Sequence, residues 1–153
     1  MALSEARGFT PEDFARLHPG GNLGKKLLKV EELMHAGAAL PAVAAGAPIR
    51  EAIYEMSKKG LGITAVVDDA GRLAGCISDG DLRRLLETDD RLLDRTAGDV
   101  MHPTPKTIDG GELAAAALKV LEEHRITSLF VCDRERRLEG IVHLHDLWGL
   151  ELF

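Results

Sequence analysis

Positive charge is in short supply in this sequence. Nineteen Lys and Arg stand against twenty-five Asp and Glu, a net charge of −6. No Lys/Arg stripe overrides that total, so a nucleic-acid partner is disfavoured. Long apolar runs are also missing. The longest uncharged stretch, Leu33 to Ile49, is broken by two Pro, two Gly and a His and is too short to cross a bilayer. The N-terminus, Met-Ala-Leu-Ser-Glu-Ala-Arg, lacks the apolar core of a secretory signal, which points to a cytoplasmic protein. Only two cysteines occur, Cys76 and Cys132, inside apolar runs and in no zinc or redox spacing, so they read as buried thiols. What remains is a soluble globular composition, 45% hydrophobic and 29% charged over 153 residues. That length fits one ordinary domain or two small ones sharing a core.

A repeat organises most of the chain. Residues 61–86 and 126–151, aligned at an offset of 65, share eight of 26 positions: Val66/Val131, Asp68/Asp133, Arg72/Arg137, Leu73/Leu138, Gly75/Gly140, Asp81/Asp146, Leu82/Leu147 and Leu85/Leu150. Upstream, Met34-His35 matches Met101-His102 at an offset of 67, so the first copy holds two extra loop residues. Each Met-His, read as marking a turn, leads through a Pro/Gly/Ala-rich loop to a helix. The 3.6-residue period predicts one over 49–59, with Ile49, Ala52, Ile53 and Met56 on its inner face. It predicts another over 112–124, facing inward with Leu113, Ala116, Ala117, Val120 and Leu121. Apolar strands follow at 64–67 and 129–132, then polar turns, then second strands at 73–78 and 138–143 that run straight into helices. The expected class is α+β: two β-α-β-β-α repeats related by a pseudo-twofold axis, their sheets packed together. A unit of about 60 residues buries too little alone. Its continuous apolar strands suit a sheet covered on both faces.

With this order, and with Gly75-Cys76-Ile77-Ser78-Asp79-Gly80-Asp81 as its marker, the chain resembles a tandem pair of cystathionine-β-synthase (CBS) domains, the Bateman module. The second copy reads Gly140-Ile141-Val142-His143-Leu144-His145-Asp146, with His143 in place of the hydroxyl residue. A further segment, Ala6 to Leu28 with its His-Pro-Gly-Gly, resembles bacterial arabinose 5-phosphate isomerases, in which a sugar-isomerase (SIS) domain precedes a CBS pair. The resemblance implies three parts: the tail of the SIS domain and linker over 1–24, a first CBS domain over 25–92 and a second over 93–153. It also implies a regulatory portion of a longer enzyme that converts ribulose 5-phosphate to arabinose 5-phosphate for the lipopolysaccharide sugar Kdo. His18 would belong to the active site of that intact enzyme, and the chain by itself is expected to be non-catalytic.

The residues at the strand-to-helix junction have chemistry of their own. Unpaired N–H groups and the helix dipole at 78–81 favour an anion. Ser78 can donate its hydroxyl to a phosphate, Gly80 lets a ligand approach the backbone, and Asp81 can accept both hydroxyls of a ribose. The same residues also suit a plain helix cap, with Ser78 or Asp79 capping. A carboxylate at Asp79 repels phosphate unless Arg83, Arg84 or a metal offsets it. In the second copy Asp146 keeps the acceptor, while His143 and His145, two apart, could face one side of a strand; no third or fourth ligand accompanies them, and no metal site is assigned. By resemblance, a base would be read at Gly62, Ile63 and Thr64 and at Thr127 and Ser128, positions that also suit ordinary strand starts.

Three functions follow from different classes. One is a regulatory module holding a nucleotide or nucleotide sugar between the repeats, for which pathway logic favours CMP-Kdo and general CBS usage an adenine nucleotide. The second is a ligand-free oligomerisation scaffold. The third, a self-sufficient enzyme, lacks a nucleophile–base pair or carboxylate dyad. No cofactor is required by the expected role. The expected partners are the nucleotide, the SIS domain of the same parent chain and further copies of the protein, without nucleic acid or membrane.

Overall fold

The computed structural model describes residues 27–148. The 1–24 segment and His18 lie outside the described residues. Helix α1 (Val30–Leu33) is followed by β1 (Ala42–Ala44), α2 (Ile49–Lys59), β2 (Ile63–Val67), β3 (Leu73–Ser78) and α3 (Asp79–Thr88). The second copy runs α4 (Ala97–Val100), β4 (His102–Pro103), β5 (Thr107–Ile108), α5 (Ala114–His124), β6 (Ser128–Cys132), β7 (Leu138–His143) and α6 (Leu144–Trp148). Two β-α-β-β-α units are present, as the repeat requires.

Each sheet opens with a parallel pair, β1 on β2 and β5 on β6, and continues with the antiparallel pairs β2–β3 and β6–β7. The expected turns at His35 and His102 are instead short bridges. His102 in β4 pairs with Cys76, extending the first sheet, and His35 exchanges both backbone hydrogen bonds with Ile141 on the second. The reason is the exposed edge of β3 and β7, whose N–H and C=O groups take up the passing chain.

That pairing exchanges the entry segments between repeats. Val30, ahead of repeat 1, is fully buried with Ala117, Leu121 and Val142 of repeat 2. Ala97, ahead of repeat 2, is fully buried with Ile49, Val66 and Ile77 of repeat 1. Backbone bonds repeat the exchange: Val30 donates to the Glu112 carbonyl at 2.8 Å, and Ala97 to that of Ala47 at 2.7 Å.

A third cluster lies between the sheets, composed of Ala65, Leu73 and Cys76 against Phe130, Ile141 and Leu138. These are equivalent positions of the two copies at the offset of 65, so the pseudo-twofold axis passes among them. Helices cover the other face of each sheet, which is why the central strands β2 and β6 read as largely apolar runs. Two expected helix faces need correction. Ile53 stays 36% exposed, while Ile49, Ala52 and Met56 are buried. In α5 the buried face is Ala114, Ala117, Leu118 and Leu121, and Leu113 is 40% exposed. The cause is the bond from Ala114 N–H to the Leu28 carbonyl, which makes Leu113 an extended cap and starts the helix one position out of the expected phase.

Candidate functional site

Helix α3 begins where β3 leaves the sheet. Ser78 Oγ accepts from the Asp81 N–H at 3.2 Å, and Asp81 Oδ2 accepts from the Ser78 N–H at 3.0 Å. The pair forms a capping box that satisfies orphan donors of the first turn. The other carboxylate oxygen takes Arg84 Nη2 at 2.6 Å. The Arg84 side chain is 72% exposed, so leaving Asp81 for another anion costs it little. Asp79 makes no cap; its N–H donates to the Gly62 carbonyl at 2.9 Å, tying the helix start to β2.

Beside this junction a cleft of about 540 Å³ opens between the repeats. Repeat 1 contributes Ser78, Asp81 and Arg84, and repeat 2 contributes Arg125, Thr127 and Ser128 across from them. Ile63, Cys76 and Phe130 supply its apolar lining, and the linker adds His102, Thr104 and Lys106. A second space of about 350 Å³ shares Asp81, Arg84 and His102 and continues along Leu85 and Thr88. Burial pushes the Cys76 thiol up to about 11, aided by the nearby Asp81 charge, so it lines the cleft as an apolar group rather than a nucleophile.

Of the residues expected from sequence, the cleft unites Ile63, Ser78, Asp81, Thr127 and Ser128. Thr64 is fully buried and donates its hydroxyl to the Ala65 carbonyl at 3.2 Å, so its side chain has nothing to offer a ligand there. Gly62, Asp79 and Gly80 are outside the residues that line the cleft.

His143, His145 and Asp146 form a separate group with His35. Strand β7 ends at His143, so His145 sits on α6 rather than further along a strand; the two imidazole rings meet edge to face at 4.7 Å. His145 N–H donates to His143 Nδ1 at 3.1 Å. The Asp146 carboxylate accepts from the His143 N–H at 2.8 Å and meets His35 Nε2 at 3.0 and 3.1 Å. No group of three or more His, Cys, Asp or Glu able to hold a metal occurs among the described residues. Among them, too, no helix is long and apolar enough to cross a membrane.

Sequence reasoning missed Arg125 and Thr104. Both have left-handed backbones, φ 54° and 53°, and their counterparts in repeat 1 are Gly60 and Gly37, with φ 73° and 59°. Placing the copies side by side exposes the substitution: side chains stand at the cleft where the other repeat uses glycine.

The CBS-domain family model matches residues 30–88 and 97–147. Arabinose 5-phosphate isomerase KdsD of Pseudomonas aeruginosa is 49% identical over 148 residues, and that of Escherichia coli K12 is 43% identical. These alignments cover 96% of this chain but 45% of each relative, so the chain spans about half the length of the curated relatives it matches. A crystal structure of CBSX2 in complex with AMP superposes with a TM-score of 0.69 at 25% identity, covering 78% of this chain and 92% of that one. The CBS pair of MJ0100, in complex with 5-methylthioadenosine and S-adenosyl-L-methionine, superposes with a TM-score of 0.70 at 21% identity, over 79% and 93% of the two chains.

Proposed function

This chain belongs to the CBS-domain family, as a tandem pair, and we propose that it regulates a cytoplasmic arabinose 5-phosphate isomerase by binding a nucleotide between its repeats. The observation that carries this is the cleft itself, where Ser78 and Asp81 of one repeat face Thr127 and Ser128 of the other. The identity to KdsD isomerases supports the choice of enzyme, whose SIS domain would be the partner in the same parent chain. Its reaction moves a proton between adjacent sugar carbons, and His18 would serve there only within the intact enzyme.

The ligand is a ribonucleotide, with its ribose on Asp81 and its phosphate near Ser78 and Arg84. When it enters, Arg84 exchanges one carboxylate for a phosphate, and the apolar lining of Ile63, Cys76 and Phe130 receives the base. A cytidine nucleotide sugar, CMP-Kdo, is favoured as a downstream product that reports a filled pathway. The adjoining space beyond Asp81 and Arg84 gives a linked sugar room to extend. AMP bound to the CBSX2 neighbour favours an adenine nucleotide as the second choice.

A thermal-shift panel of CMP-Kdo, CMP, AMP and ATP on this chain tests the reading. A ligand at 100 times its dissociation constant adds about 2.7 kcal/mol of stability. A flat panel, with calorimetry finding no binding below millimolar, leaves the scaffold role in its place.

A further inference from the structure

The two repeats share a backbone plan, but their two symmetric mouths are not alike. Around the Ser78–Asp81 mouth stand Arg84, Thr104 and Arg125. In the other copy the sequence has glycine at all three counterparts, positions 149, 37 and 60. Its carboxylate, Asp146, is held by His35, whose backbone is pinned on both sides to Ile141. At His143 the ring nitrogen Nδ1 accepts from the His145 N–H, whereas Ser78 Oγ, accepting from the Asp81 N–H in its cap, still has its own hydroxyl hydrogen to donate. Ser128 Oγ, by contrast, is shielded from solvent and has no hydrogen-bond partner among the described residues. Nothing holds it against turning about χ1 towards a polar group in the cleft.

Arg125 is the telling member. A left-handed backbone disfavours a side chain, and the equivalent residue of repeat 1 is a glycine in the same conformation. The chain accepts that strain at a place where Arg125 lines a cleft that also holds Arg84. Strain retained at a cleft points to a role in binding.

We propose that the pair binds one anionic ligand per chain, in the Ser78–Asp81 cleft alone, with Arg125 holding its charge. This rests on the nucleotide-binding reading and sharpens it. Arg136 provides a matched control. It has a φ of 65° where repeat 1 has Gly71 at 80°, and it is not among the residues that line the cleft.

Calorimetric titration with CMP and, separately, AMP compares the wild-type chain with Arg125→Gly and Arg136→Gly, alongside melting of each ligand-free protein. The expected stoichiometry is one. Both variants lose one positive charge and one strained residue; Arg125→Gly therefore melts higher than wild type, while Arg136→Gly also gives up the 3.5 Å bond from its Nη2 to the Leu73 carbonyl and gains less. Arg125→Gly alone weakens binding, by about tenfold or more, the loss of a charge-assisted hydrogen bond. A stoichiometry of two, or equal affinities for the two variants, overturns this inference and leaves nucleotide binding intact. No binding of CMP or AMP to wild type, with CMP-Kdo and ATP equally silent, overturns both.

Discussion

At the scale of single residues, two glycines decide how tightly the entry segments seat. A Cβ on Gly75 would lie 2.6 Å from Met101 Sδ and 2.7 Å from the His102 carbonyl oxygen; on Gly140 it would lie 2.5 Å from Met34 Sδ and 3.0 Å from that of His35. The thioether can swing away, but the carbonyl is held in a bridge and cannot. Gly75→Ala and Gly140→Ala should each cost about 1–3 kcal/mol, the usual penalty of overpacking, read as a lower urea midpoint at unchanged slope. His143 sets a pH response. Burial, with the neighbouring His145 and His35, holds its imidazole below the ordinary histidine value against the opposing pull of Asp146. Below about pH 6.5 the unfolded chain then binds a proton that the fold refuses. Stability should therefore fall as pH drops through that value towards the lower native one, and level off beyond it. Melting between pH 7.5 and 5.5 checks this, and His143→Ser, which installs the residue of the other copy, should flatten the profile.

At the scale of elements, caps and periods explain both what could be read in advance and what could not. Helix α2 runs over its expected bounds because Pro48 precedes it and Gly60, at φ 73°, ends it. The second strands and the helices after them also begin where their apolar runs and junction residues place them. Strands β1 and β5 had no such signal: at three and two residues they are too short for a period to register. The inner face of α5 was misread because a contact from Leu28, remote in sequence, decides its first turn. The carboxylate and hydroxyl residues of the cleft were legible from their junction. The cationic side was legible only in part: Arg84 stands near the junction as a counter-charge, whereas Arg125 looks like a surface charge until the fold brings the two together. Capping carries a prediction of its own. Thr96 caps α4, and Asp99 returns a bond of 3.0 Å to the Thr96 N–H. Thr96→Ala should cost about 1 kcal/mol in urea unfolding, because it loosens the segment that buries Ala97 in the core of repeat 1.

On the scale of the whole molecule, neither repeat owns a complete core. Val30 sits in one and Ala97 in the other, and Phe130 fills the seam between the sheets at 1% exposure. Heating should therefore melt both copies in one transition, with calorimetric and van't Hoff enthalpies equal. Phe130→Ala should lower stability by about 3–5 kcal/mol without splitting that transition. Two separate transitions would mean that the exchanged segments contribute little. The exchange also bears on descent. Once each copy had come to depend on the stretch ahead of the other, a lineage could no longer discard one half and keep a viable remainder. Divergence then proceeds under joint constraint: a bulkier residue at 140 is tolerated only where the bridge at 35 also gives way, and likewise for 75 and 102. Inheritance thus ties together positions far apart in the gene, while leaving the two ligand mouths free to part ways.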